Sequence, residues 1–215
     1  MRAGGAIDGW RPLRPAPKAP DTQYSLVDDG GVVVLKAEAD KSMSALTHTI
    51  RVDTRRYRFL RWSWKVAAPV AQADMTTKAG DDYAARVYVM FDYPRARLPL
   101  STRMKMALAE SVDGQQLPTA ALNYVWDNRQ PVGTIRPNSY TDRARMIVVR
   151  SGTADAQQWI SETRDLRADY RAAFGEEAPA VVALAIASDT DNTGGRARAW
   201  FGDFEFVADD GRPDR

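Results

Sequence analysis

Short runs of alternating apolar and polar residues, separated by turn residues, restrict the fold of this chain more than any other feature. In the segment 57–66, alternate side chains are apolar and share one face of a strand: Leu60, Trp62, Trp64 and Val66. Comparable segments recur at 24–27, 32–37, 45–52, 84–92, 121–126, 145–150, 181–188 and 198–207. The pattern therefore predicts about nine strands.

Helical composition is confined to two segments, 100–111 and 166–174, and a short strand at 158–163 precedes the second. Since strands and helices do not alternate, a doubly wound parallel sheet is disfavoured. We expect a mainly all-β fold, a single antiparallel β-sandwich or jelly roll with one or two short helices. Four prolines indicate an extended lead-in over 1–20, followed by one sandwich domain at 21–208 and a tail at 209–215.

Residue counts exclude several kinds of chemistry. The 215 residues contain no cysteine, which removes disulfides, zinc–thiolate sites and a thiol nucleophile. The one histidine, His48, rules out a multi-histidine metal site, and its alternation with Leu46 and Ile50 places it at the core or its margin. A formal net charge of +2 does not favour a nucleic-acid partner. No run approaches the roughly 20 apolar residues of a membrane-spanning helix.

Paired carboxylates stand just before the strand at 84–92, within the group Lys78, Asp81, Asp82 and Arg86. Two neighbouring carboxylates raise the pKa of one of them, which is how general acids are made, and they also chelate calcium. The alternative is a polar turn that caps a strand, with Asp82 paired to an arginine. The segment is therefore a candidate ligand-binding or catalytic site.

The loop at 189–195 has acidic residues at alternate positions, Asp189 and Asp191, and a glycine at the sixth. This spacing resembles the opening of a calcium-binding loop, but the twelfth position is Trp200 where an EF-hand needs glutamate. An EF-hand is therefore excluded. A calcium site of another kind at Asp189 and Asp191, an anion or sugar contact made by Asp191 and Asn192, and a simple tight turn all stay open.

Aromatic and amide side chains form a third candidate group, Asn123, Tyr124 and Trp126, followed by Arg129. Sugar rings stack on indoles, and amides and arginine bind hydroxyl groups, so this combination suits a carbohydrate groove. Trp126 leads into a polar run, which predicts a position at the surface. Trp62 and Trp64 share an apolar face, which predicts positions in the core.

The segments TKAGDDYAARVY at 77–88, ALNYVW at 121–126, DTDNTGG at 189–195 and LRWSWK at 60–65 together resemble an uncharacterised bacterial family, domain of unknown function 3047. The resemblance runs from about residue 10 to 207. Its members are generally exported, which implies a periplasmic or secreted protein whose signal peptide has been removed. The resemblance implies no activity. The closing segment at 199–206 is also similar to the last strand of galactose-binding-like jelly rolls.

These observations favour an exported ligand-binding β-sandwich that takes a saccharide or another polar small ligand, with calcium as the candidate ion. A carboxylate-dependent hydrolase or lyase acting on a glycan or envelope component is the first alternative. It would place two carboxyl groups roughly 5–10 Å apart in one cleft. A structural or interaction domain is the second alternative, and the sequence leaves open whether the protein is an enzyme.

Overall fold

The computed structural model describes residues 7–98, 100, 103–104 and 119–209. The described residues form twelve strands, one complete α-helix and two short 3-10 helices (Lys78–Gly80 and Arg95–Arg97). The strands and the α-helix are β1 (Trp10–Leu13), β2 (Gln23–Asp29), β3 (Val32–Asp40), β4 (Met43–Val52), β5 (Phe59–Val66), β6 (Tyr83–Phe91), β7 (Ala120–Asp127), β8 (Ile135–Pro137), β9 (Ala144–Ser151), β10 (Ile160–Asp165), α1 (Leu166–Phe174), β11 (Val181–Asp189) and β12 (Arg196–Val207). The helix predicted at 100–111 and the tail predicted at 209–215 lie largely outside the described residues.

The strands form two sheets packed as a sandwich, which confirms the predicted fold class. One sheet has seven strands in the order β1-β4-β11-β6-β7-β9-β8, and the other has five in the order β10-β5-β12-β3-β2. Strand pairing in the described residues is antiparallel except between β7 and β9, which run parallel. The hairpin between β2 and β3 turns on Gly30 and Gly31, both at positive φ, which glycine adopts without a steric penalty.

The described residues form twelve strands where the sequence predicts about nine and a further short one at 158–163, which is β10; the two unpredicted strands, β1 and β8, are short edge strands. The four-residue β1 lies within the predicted extended lead-in and pairs with β4, while the three-residue β8 pairs with β9. Each contains a proline, Pro12 and Pro137. Proline cannot donate to a strand ladder, so it is tolerated at a sheet edge but lowers the strand signal of the sequence.

The predicted helix at 166–174 is confirmed with the same bounds. The Asp165 carboxylate caps α1 by accepting the main-chain N–H groups of Arg167 and Ala168, and Gly175 ends the helix in the left-handed conformation. Among the described residues, no helix is long and apolar enough to cross a membrane.

Stacked aromatic rings fill the space between the sheets. Trp62 of β5 packs on Tyr124 of β7 with ring centres 5.3 Å apart, and Trp64 packs on Trp126 at 5.8 Å. All four side chains are at most 2% exposed. The core positions predicted for Trp62 and Trp64 are therefore confirmed, while the surface position predicted for Trp126 is wrong. The Trp126 indole N–H is satisfied inside the protein by the carbonyl of Gly152 at 3.0 Å.

The outer face of the seven-stranded sheet is also covered, so β7 is buried along its whole length. Near β4 and β11, an apolar cluster of Met43, Ala45 and Ala187 packs against side chains of the N-terminal segment. A second cluster lies near β7 and β9: Met75, Tyr83, Val125, Met146 and Val148. Polar side chains that point to this face are therefore withdrawn from water, and this burial sets the chemistry of the candidate site.

Candidate functional site

The buried guanidinium of Arg86 is the centre of a polar cluster on the outer face of the seven-stranded sheet. Arg86 is 2% exposed and lies on β6, beside the end of β11. Its Nε donates to Asp189 Oδ1 at 2.7 Å, and its Nη2 donates to Asp189 Oδ2 and to the main-chain carbonyl of Asp81. Its Nη1 donates to the Tyr88 hydroxyl at 3.3 Å, and its Cζ stands 4.5 Å from the ring centre of Tyr83.

Asp82 joins the start of β6 to the loop that follows β11. Its Oδ1 accepts the main-chain N–H of Asn192 at 3.1 Å, and its Oδ2 accepts that of Thr193 at 2.6 Å. Gly194, at positive φ, closes the loop by donating its N–H to the carbonyl of Thr190 at 3.0 Å. The loop is thus a tight turn, and the buried carboxylate of Asp82, which immediately precedes β6, fixes its conformation.

Three carboxylates meet at this point, those of Asp82, Asp189 and Asp191. Each offers one oxygen, and these oxygens all lie within 4.8 Å of one another. Asp82 and Asp189 are buried, whereas Asp191 is partly exposed. Calcium binds oxygen at about 2.3–2.6 Å, so a single ion can span such a separation. Both acidic segments are predicted from the sequence as candidate sites, and the antiparallel pairing of β6 with β11 places them next to each other.

The charges of this cluster do not balance, because Arg86 is the partner of more than one carboxylate. Burial raises the pKa of Asp189 to about 8; Arg86 opposes this rise, while the carboxylates of Asp82 and Asp81 add to it. Burial and the nearby Asp82 also raise the pKa of Asp191. Burial alone would lower the pKa of Arg86, but the carboxylates of Asp189 and Asp81 hold it well above its usual range. The cluster thus favours binding of a proton or another cation.

The segment 138–140, which the sequence did not predict, completes the site. Asp81 Oδ2 accepts from Asn138 Nδ2 at 3.0 Å and from the Ser139 hydroxyl at 3.3 Å. The hydroxyl of Tyr140 lies 3.4 Å from both the carbonyl of Lys78 and Oδ1 of Asn192. Nothing in the local pattern of 138–140 distinguishes it from an ordinary turn, so no sequence signal pointed to it.

Tyr140 gives the site an exposed aromatic rim. It is 56% exposed, and the Lys78 ammonium lies 5.2 Å from the centre of its ring. Lys78 is exposed as well, and Asn192 is partly exposed. The predicted residues Lys78, Asp191 and Asn192 therefore stand where solvent meets the buried carboxylates, whereas Asp81, Asp82, Arg86 and Asp189 form the buried part.

The remaining candidate residues do not join this cluster. Tyr124 and Trp126 face the space between the sheets, where Tyr124 donates its hydroxyl to Asp169 at 2.8 Å, so neither side chain reaches the surface. Arg129 is exposed and donates to the carbonyl of Ala73 at 2.7 Å, which ties two loops together.

Asn123 points to the covered outer face, in register with Tyr88. It is completely buried, yet neither its Nδ2 nor its Oδ1 has a hydrogen-bond partner within the described residues. A buried amide without partners is rare in folded proteins.

Comparison with known sequences identifies the family. Residues 8–205 match the family described as "Protein of unknown function (DUF3047)". The chain belongs to the DUF3047 family. This match confirms the resemblance that the four sequence segments indicate. No match was found among curated proteins.

Three solved structures resemble this DUF3047 chain in fold. The family 30 carbohydrate-binding module of the cellulosomal cellulase Cel9D-Cel44B of Clostridium thermocellum has a TM-score of 0.42 at 12% identity, covering 97% of this chain and 91% of its own. The xyloglucanase domain of NopAA, a type three effector from Sinorhizobium fredii, has a TM-score of 0.47 at 11% identity, with coverages of 95% and 96%. A double mutant of the ENZbleach xylanase has a TM-score of 0.43 at 9% identity, with coverages of 100% and 91%.

Proposed function

We propose that this protein binds a divalent cation of the calcium type at Asp82, Asp189 and Asp191, and that the cation helps to hold a saccharide or another polyhydroxylated ligand at the exposed rim. The observation that carries the proposal is the convergence of three carboxylates, two of them buried, of which Asp189 is also paired with Arg86. The resemblance of the sequence to exported proteins supports a periplasmic or secreted location.

The charge balance supports a cation. Asp81, Asp82, Asp189 and Asp191 carry four formal negative charges when ionised, and Arg86 carries one positive charge. Uncompensated charge costs several kcal/mol per ion when it is removed from water. The raised pKa of Asp189 means that this carboxylate lowers the cost by binding a proton. A divalent cation compensates the same negative charge without protonation. The buried Oγ1 of Thr193 also has no hydrogen-bond partner in the described part of the chain, and Asp81 Oδ1 is paired there with Arg86 Nη2 at 3.2 Å.

The rim supports a saccharide as the ligand. The exposed ring of Tyr140 offers a flat apolar surface beside polar groups, the arrangement to which a sugar ring with its hydroxyls is complementary. The Asn192 amide and the partly exposed Asp191 carboxylate stand within reach of hydroxyl groups stacked on that ring. A cation at Asp191 has coordination positions left for two such hydroxyls, because calcium takes six to eight oxygen ligands.

The hydrolase or lyase alternative has less support from this geometry. Asp81, Asp82 and Asp189 are at most 4% exposed, so a glycosidic bond does not reach them. Asp191 alone does not make the pair of accessible carboxyl groups that glycoside hydrolysis needs.

Calcium titration of protein stripped with EDTA tests the cation site. At a calcium concentration 100 times the Kd, binding stabilises the folded state by about 2.7 kcal/mol, which raises Tm by roughly 5–11 °C for a chain of this size. We expect Asp191→Asn to weaken calcium binding at least tenfold. Asp92→Asn, at an exposed ion pair with Arg51, is the matched control and leaves binding unchanged. Equal melting temperatures with and without calcium would disprove the cation site.

A second measurement separates the ligand from the ion. Calorimetry with a panel of neutral mono- and disaccharides is expected to detect binding in calcium and none in EDTA. Tyr140→Ala is expected to lose the saccharide and to keep the calcium response, because its side chain touches the loop only at the rim. If calcium binds but the whole panel fails, the site is a structural ion site and the ligand proposal is wrong.

A further inference from the structure

The outer face of the five-stranded sheet carries a groove of about 940 Å³, remote from the carboxylate cluster. Its floor is made of small side chains on β5, β10 and β12: Ser63, Ser161, Thr163 and Gly202. Ser161 of β10 lies opposite Ser63 of β5 in the strand register. On a sheet face, consecutive small residues leave a trough where larger side chains would otherwise stand. Its volume lies within the range usual for ligand pockets, roughly 300–1,000 Å³.

Gly202 shows that the trough depends on the absence of a side chain. It lies in the irregular part of β12, between Phe201 and Phe204, where the register with β5 shifts. A Cβ atom built on Gly202 would stand 2.1 Å from the Ser63 hydroxyl. The main chain of β12 therefore packs directly on β5 at this point, and a β-bulge with glycine keeps the floor low.

Trp159 forms one wall and is held in place from two sides. It is 37% exposed, and its Nε1 donates to Asp29 Oδ2 at 2.6 Å. The Lys65 ammonium also binds Asp29 and lies 5.2 Å from the centre of the indole ring. Trp159 precedes β10 and Asp29 ends β2, which are the opposite edges of this sheet. A hydrogen bond between the two edges means that the sheet curls around the groove.

The remaining lining combines the apolar side chains of Val32, Val33 and Val34 with the polar ones of Arg61, Asp203 and Glu205. Arg61 lies 3.8 Å from Glu205, and both side chains are about half exposed. Asp203 is exposed beside them. The lining contains four carboxylates: Asp29, Glu162, Asp203 and Glu205. Lys65, Arg150 and Arg61 pair with three of them, so Asp203 is the one lining carboxylate without an ion pair in the described residues. A groove with so little net charge favours a neutral ligand over a basic peptide.

We propose that this groove is a second, cation-independent binding site for a neutral saccharide chain. The fixed indole stacks on one sugar ring, and its restraint by Asp29 and Lys65 lowers the entropy lost on binding. The hydroxyls of Ser63, Ser161 and Thr163 and the exposed carboxylates offer hydrogen-bond partners along the trough for the hydroxyl groups of the following rings.

Calorimetry in EDTA with hexasaccharides of the cello, xylo, chito and malto series tests the proposal. We expect at least one series to bind, Trp159→Ala to weaken that binding at least tenfold, and Ser161→Trp to abolish it by filling the floor. Trp159→Phe keeps a ring and is expected to retain part of the affinity, which separates stacking from a folding defect. Asp92→Asn, at the exposed ion pair with Arg51 beside the other sheet, is the matched control and binds like the wild type.

Each remaining outcome overturns the proposal. Failure of all four series, or equal affinity of Trp159→Ala and wild type, removes the groove as a saccharide site. Binding of an octalysine peptide in place of the saccharides shows that the acidic residues recruit a basic partner. Binding that disappears in EDTA or in Tyr140→Ala belongs to the carboxylate cluster, and therefore supports the proposed function instead of the groove.

Discussion

Replacing Arg86 with methionine tests the electrostatic account of the carboxylate cluster. The guanidinium is 2% exposed and is the partner of Asp189 and Asp81, whose side chains are also nearly inaccessible to water. Removing one member of a buried ion pair leaves the other uncompensated, at a cost of about 3–5 kcal/mol. For a chain of this size that loss lowers Tm by roughly 6–20 °C. Arg86→Met is therefore expected to be strongly destabilised at pH 9, where Asp189 is ionised.

Urea unfolding at pH 9 measures the loss. Arg61→Met is the matched control, because Arg61 faces Glu205 at 3.8 Å with both side chains about half exposed, and an exposed pair contributes less than about 1 kcal/mol. Combining Arg86→Met with Asp189→Asn removes the buried charge as well and is expected to recover part of the stability. If Arg86→Met unfolds within about 1 kcal/mol of the wild type, the buried cluster is not held by this ion pair and the reasoning fails.

The pH dependence of the free energy of unfolding provides an independent test of the same reasoning. Burial raises the pKa of Asp189 from an ordinary value of 3.8 to about 8, so between these values the folded state holds a proton that the unfolded state has lost. The free energy of unfolding of the metal-free protein is therefore highest below about pH 4 as far as this group is concerned. This free energy falls as pH rises towards 8. At pH 5 Asp189 is protonated with or without Arg86, so the difference between wild type and Arg86→Met is expected to shrink.

Three further substitutions have defined outcomes in urea unfolding. Gly80→Ala places a Cβ 2.6 Å from the main-chain nitrogen of Asp74, and we expect a loss of about 1–3 kcal/mol; unchanged stability would show that the loop yields freely. Tyr124→Phe removes the hydroxyl that donates to Asp169 and is expected to cost about 1–2 kcal/mol, a loss that should be absent if the bond is not formed. Asn123→Leu replaces a buried amide without partners in the described residues and is expected to stabilise by about 1 kcal/mol; a loss of stability would show that the amide has a partner.

Strand periodicity predicted the parts of the fold in which one face is apolar. In β5 the alternation placed Trp62 and Trp64 in the core, and both are at most 2% exposed. The helix α1 was predicted from the helical composition of 166–174, and Gly175 ends it in the structure. Periodicity failed at β1 and β8, because strands of three or four residues are too short for a period-two pattern and each contains a proline.

Periodicity also could not assign the two faces of β7. It separates Tyr124 and Trp126 from Asn123 and Val125, but both sets are buried, since one packs between the sheets and the other under the covering loops. The polar run after Trp126 predicted a surface that the structure does not have there. Which face of a strand is covered depends on segments distant in the chain, and no local pattern contains that information.

The difference between local pattern and contacts from distant segments also explains which candidate site residues the sequence could predict. Asp82 and Asp191 stand out locally because each belongs to an acidic segment next to a strand, and antiparallel pairing of those strands brings the segments together. Trp159 acquires its role only through Asp29, 130 residues away across the curled sheet, and Tyr140 only through contacts with the loops at Lys78 and Asn192. Clustered carboxylates indicate a candidate site from the sequence alone. An exposed aromatic ring becomes a binding surface only when the tertiary fold provides polar groups and an open groove beside it.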